Sequence, residues 1–196
     1  MSRLLIAAPM QIEALLIRSV AHRARVHTTG MGPRRARTAA RALLDATGDA
    51  LIVLGFCGGL DEQAVPGEVV IAEEVSAASD EGHSPERVPC SGAPELAAAM
   101  ARRGMRVRTG PIVSVSRLAL GERRAQLGAR GAIAVDMESL WLAAGAGGRP
   151  FGVVRVVLDS PTHELFRPQA AAAAVRAARV LRRAAAAALH EWGSEG

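Results

Sequence analysis

Three acidic residues of this 196-residue chain stand where a catalyst could use them. Glu13 follows the first apolar run, Glu138 follows Asp136 and Met137 at the start of a helical stretch, and Asp159 ends the most β-branched run of the chain. In an α/β sheet, ligands bind outside the carboxyl ends of the strands, where loops meet helix N-termini. Carboxylates placed there are candidates for acid–base chemistry, although each taken singly is more simply a helix cap or a surface charge. Their convergence on a glycine-rich turn, Gly55-Phe56-Cys57-Gly58-Gly59, shifts that balance, because glycine lets backbone amides approach a ligand closely. A second turn, Gly30-Met31-Gly32-Pro33, either sets amides at a helix N-terminus for an anion or a sugar hydroxyl, or is a tight strand-to-helix connection.

The elements that must position these groups are legible as alternating patterns. Short apolar, β-branched runs predict strands over 4–7, 25–28, 51–54, 68–75, 106–108, 111–116, 132–135 and 151–158. Between them, Ala- and Leu-rich stretches predict helices over 11–19, 35–45, 94–103 and 119–127, another from Met137, and a last one over about 168–192. The alternation implies a single α/β domain over residues 1–196, with a central mixed sheet flanked by helices. The polar stretch 76–92 is expected to be a long mobile loop.

Composition removes several function classes. All 24 basic residues are arginine, so neither a Schiff-base lysine nor a phosphate-loop lysine exists. The glycine turns lack the dinucleotide-binding and P-loop spacings. The net charge of +5 accompanies only 3% aromatic residues, which fits a general compositional bias better than nucleic-acid binding. Five scattered histidines and two distant cysteines show no metal-ligand spacing, and Ser114 and Ser116 lack a matching His and Asp arrangement, so no metal, cofactor or serine nucleophile is expected. No apolar run is long enough to span a bilayer, which makes a cytoplasmic protein the default expectation.

In order and spacing, the segments Ala8-Pro9-Met10-Gln11-Ile12-Glu13, Gly30-Met31-Gly32, the glycine turn with Pro66-Gly67-Glu68-Val69-Val70 after it, Ala134-Val135-Asp136-Met137-Glu138-Ser139, and Val154-Arg155-Val156-Val157-Leu158-Asp159 resemble the nucleoside phosphorylase superfamily. The resemblance covers nearly the whole chain. Its nearest branch by overall pattern is the methylthioadenosine/S-adenosylhomocysteine nucleosidases. Residues 134–139, Gly110-Pro111-Ile112-Val113-Ser114 and Asp159-Ser160-Pro161 look closer still to the hopanoid-associated phosphorylases, whose implied substrate is adenosylhopane.

The resemblance implies that Glu13 positions or activates the attacking water, that Glu138 grips the ribose hydroxyls, and that Asp159 protonates the departing purine. Cleaving an N-glycosidic bond builds positive charge on the sugar and negative charge on the base, which suits two acids with opposed duties. The apolar run before Asp159 is expected to keep it protonated by burial. Met137 is expected against the sugar, or in the core. Phe56, with the backbone at Gly58, and Phe151 are further candidates for contact with the substrate, Phe151 being more readily a core residue of its strand. Arg155 either pairs structurally with a carboxylate or orients Asp159. A phenyl ring at Phe56, where relatives carry a small or hydroxyl residue, cannot bind phosphate, and Glu13 would repel a phosphate dianion. Hydrolysis is therefore favoured over phosphorolysis. A nucleoside-binding module without catalysis is the alternative, but a binder has no need for all three carboxylates. A homodimer is expected on resemblance. Arg176, Arg179 and Arg183 form a basic stripe on the last helix, read either as an ordinary amphipathic helix face or as a peripheral membrane contact.

Overall fold

The computed structural model describes residues 3–78, 86–163 and 170–193. Runs that are apolar at every position form strands buried on both faces, as in a sheet covered by helices on each side. The strands are β1 (Leu4–Ala8), β2 (Arg25–Thr28), β3 (Ala50–Gly59), β4 (Val69–Ala77), β5 (Arg87–Pro89), β6 (Val107–Ser114), β7 (Ala134–Asp136) and β8 (Phe151–Asp159). The helices are α1 (Gln11–Arg18), α2 (Pro33–Leu44), α3 (Ala93–Arg102), α4 (Gly121–Ala129), α5 (Ser139–Ala143) and α6 (Ala170–Trp192). This is the expected α/β fold, with a mixed sheet between helices.

β3 organises the sheet. It runs parallel to β8 along most of its length and to β1 over its first residues, 50–53, and pairs antiparallel with β7 through Gly58 and Gly59. β8 pairs antiparallel with β4, β4 parallel with β6, and β6 parallel with β7. The path from β3 through β8, β4, β6 and β7 returns to β3, so five strands close a ring from which β1 and β2 extend on one side and β5 on the other. Period-two alternation divides the core between the sheet's faces. Leu4, Ile6, Ile52, Leu54, Val154 and Val156 pack with α1, α3 and α6, while Leu5, Leu51, Val53, Val153 and Val157 pack with α2 and α5. Among the described residues, no helix is long and apolar enough to cross a membrane.

Three expectations are corrected. The glycine-rich segment is the second half of β3 rather than a turn. The two strands expected over 106–108 and 111–116 are one strand, β6; its ladder with β4 slips next to Pro111, which has no N–H to donate. The ends of the expected loop over 76–92 are ordered: β4 runs on to Ala77, and β5 returns against it, Val75 opposite Val88. Positions 79–85, His83 among them, lie outside the described residues.

Candidate active site

Because β1, β3 and β8 are parallel, their carboxyl ends lie together, and β7 arrives there because β3 is long enough to pair with it beyond β1's partner residues. A cavity of about 290 Å³ opens at this point. Glu13, Phe56, Gly58, Met137, Glu138 and Asp159 all line it. Six of the eight residues singled out from the sequence are thus brought to one place by α1, β3, β8 and the connection between β7 and α5.

Glu13 occupies the first turn of α1 and is only 1% exposed. One carboxylate oxygen accepts the Met10 N–H at 2.6 Å, closing the helix N-terminus, and the other accepts the Phe56 N–H at 2.7 Å, tying the helix to β3. Burial pushes its carboxyl up from the ordinary 4.5 to about 7, opposed by Arg155 and by these two backbone donors. Glycine at position 55 is what allows this arrangement: a Cβ there would stand 2.5 Å from a Glu13 oxygen and 2.8 Å from Arg155 Nη1.

Arg155 itself is fully buried in the middle of β8. Its Nη2 lies 2.7 Å from Asp136 and donates to the Ser139 hydroxyl at 2.9 Å, and Nη1 donates to the Phe56 carbonyl at 3.4 Å. Asp136, ending β7, also accepts from the Ser114 hydroxyl at 2.6 Å, from the backbone N–H groups of Glu138 and Ser139 at 3.2 Å each, and from the Ser139 hydroxyl. Glu138 completes the cluster. One of its oxygens accepts the Gly32 N–H at 2.8 Å and the other lies 3.7 Å from Arg155. Gly32 adopts φ +86°, so the second glycine turn does present an amide to an anion, and that anion is the protein's own carboxylate. Burial raises the Glu138 carboxyl too, against the pull of Arg155.

Asp159 ends β8 at a slip in the β3–β8 ladder. Cys57 pairs with Val157, but Gly58 pairs with Asp159, so Leu158 is the extra residue. The Asp159 side chain is 7% exposed and forms an ion pair with Arg124 of α4, itself buried. The apolar surroundings expected around Asp159 are therefore replaced on one side by a guanidinium.

A family model described as the phosphorylase superfamily matches residues 10–186. The chain belongs to the phosphorylase superfamily. Similar solved structures include a 5′-methylthioadenosine/S-adenosylhomocysteine nucleosidase from Neisseria meningitidis in complex with methylthio-immucillin-A, with a TM-score of 0.77 and 21% identity over 98% of this chain and 99% of that one. An S-adenosylhomocysteine nucleosidase from Streptococcus pyogenes gives 0.73 and 18% over 94% and 96%. The futalosine hydrolase of Helicobacter pylori gives 0.74 and 15% over 95% and 93%. At such identities the likeness is one of fold. No curated protein sequence matches the chain.

Two residues singled out from the sequence of this superfamily member stand apart from the cavity. Phe151 opens β8 at the end opposite Asp159; it is 5% exposed and packs with Leu51, Val53 and Val153, so it is a core residue and does not face a ligand. Arg155 takes the structural one of its two readings: it pairs with Asp136, and a different arginine holds Asp159. Sequence reasoning gave no role to Asp136 and Ser139, although Asp-x-x-Ser at the start of a helix is a recognisable capping pattern. It also missed Arg124, which carries no local signal.

Proposed function

We propose that this superfamily member is a purine nucleosidase that hydrolyses the N-glycosidic bond of an adenosine with an apolar 5′ substituent. The observation that carries the reading is Glu13: a buried carboxyl raised to about 7, anchored by two backbone amides, in the same cavity as a second acid at the end of β8. A general base works best when its pKa lies near the operating pH. Glu13 takes a proton from water as the oxygen bonds to the anomeric carbon, Glu138 grips the ribose hydroxyls, Met137 packs on the sugar, and Asp159 protonates the base. Phe56 and Gly58 supply the wall of β3 against which the nucleoside lies.

Water is favoured over phosphate by the charge balance. Arg155 is the cation acting on Glu13, and it is already matched by Asp136 and Glu138. A phosphate dianion beside Arg155 would meet these carboxylates, and the other guanidinium that lines the cavity among the described residues, Arg124, is paired with Asp159.

The 5′ substituent is read from the rim. Met31 and Leu118 line the cavity while remaining 47% and 57% exposed. At about 290 Å³ the cavity sits at the lower edge of the small-molecule range of roughly 300–1,000 Å³. It suits a nucleoside whose apolar tail leaves over that rim, as in adenosylhopane. A second reading, methylthioadenosine, is supported by the fold shared with methylthioadenosine nucleosidases. A homodimer and a peripheral membrane contact belong to the same proposal. Ile12 and Leu15 leave apolar surface on the helix that carries Glu13, at 54% and 60% exposure, and Arg176, Arg179 and Arg183 are exposed on α6.

The test is adenine release from adenosylhopane and from methylthioadenosine, each with and without phosphate. Phosphate-independent release from adenosylhopane is the expected result. Release only with phosphate overturns hydrolysis, release from methylthioadenosine alone selects the second reading, and no release from either overturns the enzyme.

A further inference from the structure

Arg124 is placed in a way that its pairing with Asp159 does not exhaust. Of the nine residues of α4, it and Leu127 are the buried ones. One guanidinium nitrogen, Nη2, holds Asp159, while Nε is buried without any hydrogen-bond partner among the described residues. A buried, charged donor left unsatisfied is costly, and such groups in native structures call for a specific explanation. Beside it, Gly58 leaves room that no other residue would: a Cβ there would crowd Arg124 Nη2 at 3.1 Å and Asp159 Oδ1 at 3.3 Å together. Arg124 and Asp159 also line a second cavity, of about 610 Å³, on the side of Leu60 and Gly121. The ion pair is thus a partition between two open spaces, and the guanidinium has somewhere to move.

We propose that Arg124 is a second catalytic residue at the leaving base: on binding, its guanidinium donates to an acceptor on the purine next to the atom that Asp159 protonates. The proposal rests on the nucleosidase reading above. Arginine has donors only and keeps its charge at any working pH, so it cannot supply the proton. It does what a proton donor alone does not, placing a fixed positive charge where negative charge develops. In the balanced step, the bond between the anomeric carbon and the base nitrogen breaks and its electron pair stays on the base. Water bonds to the anomeric carbon and yields a proton to Glu13; Asp159, whose carboxylate takes a proton from solvent once Arg124 has turned from it to the bound base, passes that proton to the base. Arg124 exchanges no atom, and its hydrogen bond to the base strengthens as that electron pair arrives.

The experiment compares leaving groups. Arg124→Met is assayed on whichever of the two adenosine derivatives above the unaltered protein cleaves, and on 4-nitrophenyl β-D-riboside, whose phenolate departs without protonation. We expect kcat/KM for the purine nucleoside to fall about 10²–10³-fold, the size seen when one charge-stabilising donor is removed, and that for the nitrophenyl riboside to fall about threefold or less. Arg124→Gln, which keeps a neutral donor to Asp159, is the second variant should the methionine form fail to fold, and the same divergence is expected of it. Equal losses on both substrates assign Arg124 a structural role and overturn the proposal alone. No turnover of either substrate by the unaltered protein overturns the nucleosidase reading, and this proposal falls with it.

Discussion

Glu13 and Asp159 line one cavity and are held in opposite ways. Around Glu13, every charged group has several partners. Its own two oxygens each accept a backbone N–H, Arg155 meets Asp136, Ser139 and Phe56, and Asp136 gathers two hydroxyls and two amides. Around Asp159 there is, among the described residues, one ion pair to Arg124, whose Nε has no hydrogen-bond partner among them, and a second cavity behind it. The difference fits the duties proposed for the two halves. A group that aims water or sugar hydroxyls must be fixed before the substrate arrives, because misplacement by an ångström costs rate. A group that meets a departing base can be left incomplete, since the base itself supplies the missing partner.

The comparison is broken most forcefully at Arg155. Replacing it with methionine leaves Asp136 and Glu138 buried with no countercharge, and removing one partner of a buried ion pair typically costs about 3–5 kcal/mol. Domains of this kind have only about 5–15 kcal/mol to lose. Urea unfolding of Arg155→Met is therefore expected to show a midpoint drastically lowered, or no folded baseline. A loss below about 1 kcal/mol would mean that the locked half is not locked by its charges.

Glu13 gives a pH-dependent version of the same contrast. As general base it must be ionised, so kcat/KM is expected to rise with pH through about 7, and Glu13→Gln to remove that limb while lowering the rate about 10²–10⁴-fold. Stability runs the other way. The folded carboxyl binds its proton up to about 7 and the unfolded one only up to about 4.5, so folding loses support as pH rises between these values and no more above them. The difference is on the order of 3 kcal/mol at one pKa unit per 1.4 kcal/mol. Measured by urea unfolding at pH 5 and pH 8, the unaltered protein should lose more stability across that interval than Glu13→Gln. Equal losses would mean that the Glu13 carboxyl is not raised.

The strands were readable because strands buried on both faces need continuous apolar runs, and the carboxylates because strand ends are where such a sheet binds ligands. What periodicity could not give was which end of a strand a residue occupies relative to the site: Phe151 and Asp159 bound the same strand, and only Asp159 reaches the cavity. Nor could it single out Arg124, one of 24 arginines and brought to Asp159 across 35 positions by the placement of α4. The glycine segment misled for a physical reason. Glycine is read as a breaker of strands, yet in β3 it serves as a strand without side chains, so that charged groups can close on its backbone.

That role gives the finest test of the comparison. A Cβ at Gly55 would sit 2.5 Å from the Glu13 oxygen, in the half where nothing can yield without breaking several hydrogen bonds. At Gly58 the nearest atom is Arg124 Nη2 at 3.1 Å, the end of a flexible side chain with open space beyond it. Overpacking a well-filled site costs about 1–3 kcal/mol, so Gly55→Ala is expected toward the top of that range and Gly58→Ala at or below its bottom, both read from urea midpoints at pH 7. Activity should separate them as well. Gly55→Ala displaces Glu13 and lowers turnover of every substrate, whereas Gly58→Ala pushes Arg124 away from Asp159 and lowers turnover of purine nucleosides more than that of the nitrophenyl riboside. If the two alanines destabilise equally, the half around Asp159 is packed as tightly as the half around Glu13, and the asymmetry between them disappears.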